Sequence, residues 1–428
     1  MNQRRAVARL PAPLGLTALL LCTRLFSVPA LSDPVTGTAP ASLRLAVPWL
    51  YLTLAPLFTL WDGVSMLSMS RLVGFLIGLA VLYLAWRVGR LLWRDRSAGA
   101  TPRFSILKET RILAVSLLLL ALFLVGGAVW HRPMLALRGA DPRDIVVDFH
   151  SHTKVSHDVE DTWMRGFDTE ANLRWHTRAG FDAAFITDHN EVTREAGGGN
   201  RELGRRHEGG ATVACPGIEV SAWRAHIVLL GDTLPVDRTR YNGSLEELLT
   251  LISTSDSVLG ALSVASLPEY RRNHWDRLDR LVAEGLDGFE VVNASPKANE
   301  LPRAERDSVI AFARARNRFV VGVSDSHGWG ATSMVWNLVH PAGERRSDAC
   351  SAILRSLRMG FPAVSIIERH RLRPDSWWPV WLTPLGVVWE TWRGMGWKLT
   401  AAWLVWIWLW AIRPRRPTRL PARGDARR

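Results

Sequence analysis

His150-Ser-His152 stands at the end of a short hydrophobic run, and four further clusters answer it along the chain: Asp188-His189, Glu219, His226 and Asp325-Ser-His327. Imidazoles mixed with carboxylates are the donor set of a transition-metal site. They suit Zn, Mn or Fe better than Mg or Ca, which prefer shells of oxygen alone. One His-x-His arises easily by chance, but five clusters that each close or border a β-type run describe a single site. Its expected ligands are His150, His152, His189, Glu219, His226, Asp325 and His327, with either His157 or Asp158 as a further one. Glu219 is the candidate to bridge two ions, because a carboxylate has two oxygens to offer and an imidazole only one free nitrogen. Asp148 and Asp188, each close to a ligand histidine, are expected to orient imidazoles from behind.

Such a site needs strands that end at one mouth. Runs rich in Val, Ile and Phe occur at Ile145 to Phe149, Ala183 to Thr187, Thr212 to Ala214, Ile227 to Leu230, Leu262 to Ala265, Gly288 to Val292 and Phe319 to Val323. Helical patterns alternate with them. Asp168 to Arg178 stops at Gly180, a natural left-handed cap, and Ser244-x-x-Glu247 is a capping box ahead of Leu248, Leu249, Leu251 and Ile252. Arg277 to Glu284, Pro302 to Ala315 and Asp348 to Met359 supply further helices. Seven strands therefore precede the last ligand pair, and an α/β barrel, which keeps its chemistry at the strand ends, is the expected fold. A doubly wound open sheet shares the alternation but does not bring ligands from so many strands to one point.

The same residues resemble the polymerase and histidinol phosphatase (PHP) phosphoesterases over about residues 145–370. Asp148-Phe-His150-Ser-His152-Thr with Ser156-His157-Asp158 is similar to that family's first motif, and Ile186-Thr-Asp188-His189-Asn190 to its second. Gly217-Ile-Glu219-Val-Ser221, followed by the His226 to Gly231 strand, resembles the third, and Ser324-Asp325-Ser-His327-Gly the last. The resemblance implies a distorted (β/α)7 barrel holding two or three divalent ions that hydrolyse a phosphate ester, with Glu219, Asp325 and His327 as catalytic residues. When bound, such ions lower the pKa of a water towards neutral and neutralise charge on phosphate. Arg224, two residues before His226, is a candidate to pair with substrate phosphate. Two departures matter. The family usually has Ser-Asp where this chain has Ser156-His157-Asp158, and an Ala-His-Pro where the fifth strand here runs into Ser266-Leu267-Pro268. His274, eight residues on, either reaches back in place of that histidine or, as its polar stretch suggests more strongly, is merely exposed.

The ends of the chain are a different polymer. Ile112 to Trp130 carries no charge over nineteen residues, close to the roughly 20 that span a bilayer. Leu45 to Trp61, Leu72 to Trp86 and the Trp-rich Leu399 to Ile412 are expected to span as well. Trp377 to Trp392, with two prolines and Glu390, reads as interfacial. Leu14 to Cys22, preceded by Arg4, Arg5 and Arg9 and followed by Val28-Pro-Ala30, resembles a signal peptide, but Arg24 interrupts it. Arginine and lysine crowd the loop 87–111 and the tail 413–428, which places both in the cytoplasm. The barrel between the flanking spans then lies on the opposite side, and parity makes the first segment interfacial. The expected divisions are residues 1–42, 43–131, 145–370, 376–412 and 413–428.

A net charge of +13 raises nucleic acid as a partner, but the cations cluster beside apolar runs, so membrane lipid is the simpler one and no nucleic acid is expected. Cys22, Cys215 and Cys350 stand apart, indicating neither disulfides nor a thiolate site. The preferred activity is hydrolysis of a small or lipid-linked phosphate. A metal-binding sensor without turnover and a nuclease are the alternatives, the latter requiring a basic, aromatic groove.

Overall fold

The computed structural model describes residues 11–98, 106–160, 162, 166–192, 211–231, 243–341 and 349–412. The Gly197 loop, Arg103 and the basic tail 413–428 lie outside them. Runs of β-branched and aromatic residues form twelve strands among the described residues: β1 (Leu31–Ser32), β2 (Arg44–Ala46), β3 (Ala136–Arg138), β4 (Ile145–Asp148), β5 (Ala183–Ile186), β6 (Val213–Ala222), β7 (Ala225–Leu230), β8 (Leu262–Ala265), β9 (Gly288–Asn293), β10 (Phe319–Val323), β11 (Val335–Val339) and β12 (Val364–Arg369). β2 and β3 pair alone, and the other ten make one sheet in the order β1-β12-β11-β4-β5-β6-β7-β8-β9-β10.

The sheet curls into a half-barrel. β4, β5 and β6 are mutually parallel, as are β8, β9 and β10, but β7 runs against both of its neighbours. β6 is longer than the sequence suggests, because it forms a tight hairpin with β7 in which Ala222 pairs with Ala225. Beyond the ends of β10 and β4, Ser326 and Ser151 form a parallel bridge. The Asn337 amide on β11 takes the place of a ladder, accepting from Gly322 N at 2.8 Å and donating to Gly322 O at 2.6 Å. A Cβ on Gly322 would sit 2.3 Å from Val335, so only glycine permits this approach. Helices cover the sheet where the sequence places them. Asp168 caps Thr169–Ala179, which ends at Gly180 with φ 91°, and both hydrogen bonds of the Ser244/Glu247 capping box are present ahead of Leu245–Ser257.

Two sequence expectations are corrected here. Cys215 on β6 and Cys350 on the helix Ala349–Leu357 are joined in a disulfide, although 135 residues separate them. Leu45 to Trp61 is not one continuous helix: its first residues belong to β2, and short helices Trp49–Thr53 and Ala55–Ser65 meet at Leu54. Tyr51, Phe58 and Trp61 bury against Leu20, Trp392 and Leu399, so the apolarity of this run serves a packed core.

Among the described residues, two helices are long and apolar enough to cross a membrane, Met69–Arg90 and Ile106–Val129. Pro11–Leu25 and Trp397–Ile412 are apolar but shorter. The long pair is joined to the sheet at several points. Glu300, after β9, accepts from Ser70 N at 2.6 Å and Ser70 Oγ at 3.0 Å, capping the first of the two helices from the side of the sheet, and Met69 N donates to Pro296 O at 2.8 Å. Gly330, three residues past His327, packs so closely on the second helix that a Cβ there would lie 2.9 Å from Ala128 Cα.

Candidate metal centre

Each strand end delivers its donor to one point. His150 and His152 follow β4, His189 follows β5, and Asp325 and His327 follow β10, while Glu219 and His226 are diagonal neighbours on the β6–β7 hairpin, opposite Val228 and Ser221 respectively. Glu219 is the hub. Its Oε2 lies 3.1 Å from His150 Nε2, 3.2 Å from His189 Nδ1 and 3.4 Å from His152 Nε2, and its Oε1 lies 2.9 Å from His226 Nδ1. Asp158 Oδ2 approaches His327 Nε2 at 2.6 Å and His189 Nε2 at 3.2 Å, and Asp325 Oδ1 lies 3.2 Å from His152 Nε2.

These atoms fall into three overlapping donor groups, each within 4.8 Å: His152, Asp158, His189 and His327; His150, His152 and Glu219; and His189, Glu219 and His226. The set fits divalent cations on a further ground. His189 Nδ1 is buried beside Glu219 without making a hydrogen bond, and His150 and His152 bring their Nε2 atoms within 3.0 Å of each other. Imidazole nitrogens converging on one carboxylate in this way suit a shared cation.

Of the two candidates in Ser156-His157-Asp158, the structure brings Asp158 into a donor group and leaves His157 out of all three. His157 is exposed, with its ring 5.0 Å from that of His189. Asp148 accepts from His176 Nε2 at 2.9 Å and from Ser324 N at 3.0 Å, and Asp188 accepts from Thr153 N at 2.6 Å. Both fasten the loops that carry ligands. Arg224 sits exposed in the hairpin turn at φ 62°, its guanidinium 6.0 Å from the Trp223 ring and outside the cavity lining. His274 is a correction: it is fully buried, 3.2 Å from Trp223 O, and joins none of the donor groups.

Sequence reading missed Glu290. It lies buried on β9, and its Oε1 binds His150 Nδ1 at 2.7 Å while its Oε2 accepts from Leu267 N at 2.9 Å, Asn293 Nδ2 at 2.9 Å and Ser266 Oγ at 3.2 Å. Ser266 thus supports the residue behind His150. A charged residue inside the apolar run Gly288 to Val292 was the available signal. Glu269 was missed too; its Oε2 comes within 4.0 Å of His226 Nδ1.

Charge in the site is strongly coupled. Burial disfavours ionised Glu219, but His150 and His189 hold its carboxyl well below the usual range. Burial also opposes the charged form of His327, yet Asp325 and Asp158 push it up to about 9; Glu219 does the same for His226, again to about 9. The ligands open into a cavity of about 610 Å³, within the range of small-molecule sites.

No protein-family model matches this chain, and no curated protein matches it. Among solved structures it is similar to PsfC from Pseudomonas syringae PB-5123, at 16% identity and TM-score 0.36 over 57% of this chain and 95% of that one. It is also similar to PfuEndoQ, a lesion-specific endonuclease from Pyrococcus furiosus, at 13% identity and TM-score 0.36 over 54% of this chain and 60% of that one. Likeness this loose leaves the chemistry to the site's own geometry.

Proposed function

We propose that this chain is a membrane-anchored, metal-dependent phosphoesterase in which β4 to β10 form a PHP-type barrel. One observation carries the reading: Glu219 touches four imidazoles, Asp158 and His327 complete an adjoining donor group, and Asp325 Oδ1 lies 3.2 Å from His152 Nε2. His150, His152, Asp158, His189, Glu219, His226, Asp325 and His327 would hold two or three ions. Bound there, divalent ions supply an acidified water and neutralise phosphate charge. The chain's own residues fix the geometry. Glu219 offers one oxygen to each side of the centre, Glu290 holds the His150 ring, and Asp325 is set by its left-handed backbone, φ 45°, with its N–H on His150 O at 2.9 Å. The long apolar helices, with the basic residues of 87–111 that end the first and begin the second, favour a hairpin whose connecting end is cytoplasmic and a barrel on the other side.

The test is metal analysis of the full chain in lipid nanodiscs with a screen of phosphate mono- and diesters. Two or more transition-metal ions per chain and hydrolysis of an ester are expected, both lost in Glu219→Gln. Because Ser266 binds Glu290 where the family usually has a ligand histidine, a second reading exists, a metal-binding sensor. Metal uptake without hydrolysis of any ester would replace the enzyme by that sensor.

A further inference from the structure

The cavity that holds the metal ligands does not end in protein core. Its opposite wall is built from the membrane helices and the segment before them: Trp61, Val64, Leu72, Phe123, Leu124 and Ala128 line the same space as Asp158, Glu219 and His327. The wall is held in place. Trp61 Nε1 donates to Phe123 O at 2.7 Å, and Gly127 lies so close to the Trp61 ring that a Cβ would meet it at 2.9 Å. Next to the lining residues, Val73, Leu122 and Val125 are exposed on faces that a bilayer would cover, so the apolar wall continues into the lipid-facing surface. Lys297, exposed, adds a cation on the wall of the same cavity.

Resting on the phosphoesterase reading, we infer that the substrate is a membrane-resident amphiphile, the phosphate monoester of a long-chain lipid alcohol. The phosphate is drawn to the imidazole and lysine end, and the chain lies against Leu72, Phe123 and Leu124, entering sideways from the bilayer. A water-soluble ester makes no use of such a wall, and a nucleic acid needs an open basic groove where this cavity has an apolar one. The reaction balances simply: the hydroxyl of water bonds to phosphorus, the P–O bond to the lipid oxygen breaks, and the remaining water proton goes to that oxygen. The lipid alcohol stays in the membrane and inorganic phosphate returns to water.

The experiment uses the full chain in nanodiscs and has two arms. In the first, a long-chain alkyl phosphate carrying a diazirine near mid-chain is photolysed on the protein, and labelled peptides are mapped. Labels are expected at Leu72 and at Phe123 to Ala128, and dodecylphosphonate should suppress them at a far lower concentration than methylphosphonate. In the second arm, kcat/KM is compared for ethyl and octyl phosphate. Each methylene buried is worth roughly a threefold to fourfold gain, so octyl phosphate should be favoured by about 10-fold or more even if only a few methylenes are buried. Ala128→Phe, which narrows the apolar end, should reduce that ratio. Hydrolysis of both esters at equal kcat/KM, with labels spread over the outward-facing Leu117 and Leu118, would overturn the lipid substrate while leaving the phosphoesterase reading intact. Cavity labelling with no ester hydrolysed would overturn the phosphoesterase reading and the substrate inference with it.

Discussion

His150 Nδ1 and Glu290 Oε1 meet at 2.7 Å with both side chains buried, so the far side of this imidazole is fixed before any cation arrives. A carboxylate behind a ligand histidine sets its tautomer and raises its basicity, and removing such a partner costs about 10–100-fold in metal affinity. Glu290→Gln preserves shape and keeps an acceptor but removes the charge. We expect metal affinity, measured by competition with a chromogenic chelator, to fall within that range while the far-ultraviolet circular dichroism stays unchanged. An unaltered affinity would mean that Glu290 only packs the core.

Metal uptake should release protons. His226 and His327 are both raised from 6.5 to about 9, burial being outweighed by Glu219 for the first and by Asp325 and Asp158 for the second. A histidine with a raised folded-state pKa contributes stability that is fully present below the unfolded value of about 6.5 and is lost as pH climbs through 9. The metal-free protein should therefore melt at lower temperature at pH 9 than at pH 6. Cations compete with the same protons, so apparent metal affinity should rise over that window. Calorimetric titration at pH 7 in buffers of different ionisation enthalpy reads the released protons directly, and no buffer dependence would refute the assignment.

The clustering of the candidate ligands was legible because a donor at a strand end needs only periodicity and a motif to be seen: His150, His189 and Asp325 all follow short apolar strands. What decides between His157 and Asp158 is the turn at Ser156–Glu160, whose facing depends on contacts to His189 and His327 far away in sequence. Glu290 stayed hidden because one carboxylate in a strand carries no spacing. Apolarity misled at Leu45 to Trp61, since burial against Leu20 and Trp392 demands the same composition as burial in lipid. The Cys215–Cys350 pairing could not be read either, because cysteine separation carries no information about proximity once a sheet intervenes.

Asp62 ties the helical N-terminal part of the chain to the loop that follows His327. It is 1% exposed and accepts from Tyr51 at 2.8 Å, Thr332 at 2.8 Å, Arg369 at 2.9 Å and Arg132 at 3.3 Å, joining a short helix, the loop after His327, the end of β12 and the segment after the second long helix. Asp62→Ala leaves two buried guanidiniums without their carboxylate, a loss of about 3–5 kcal/mol. Denaturant unfolding of the full chain in detergent should show it. A loss below about 1 kcal/mol would mean that water replaces the carboxylate, as at a surface ion pair.

The proposed sidedness has a chemical counterpart in the disulfide. Disulfides persist in oxidising compartments, and the proposed topology, with the basic residues of 87–111 in the cytoplasm, would put the half-barrel on the opposite side. In whole cells carrying the Cys22→Ser variant, which removes the exposed free thiol, a membrane-impermeant maleimide should label nothing on this chain. After a membrane-impermeant reductant and mild denaturation, Cys215 and Cys350 should both react. Cys350→Ser opens a loop of 135 residues, which the chain-entropy model values at about 5 kcal/mol as an upper figure, so its melting temperature should drop markedly. If both thiols label only after the cells are permeabilised, the barrel faces the cytoplasm and the proposed orientation is wrong.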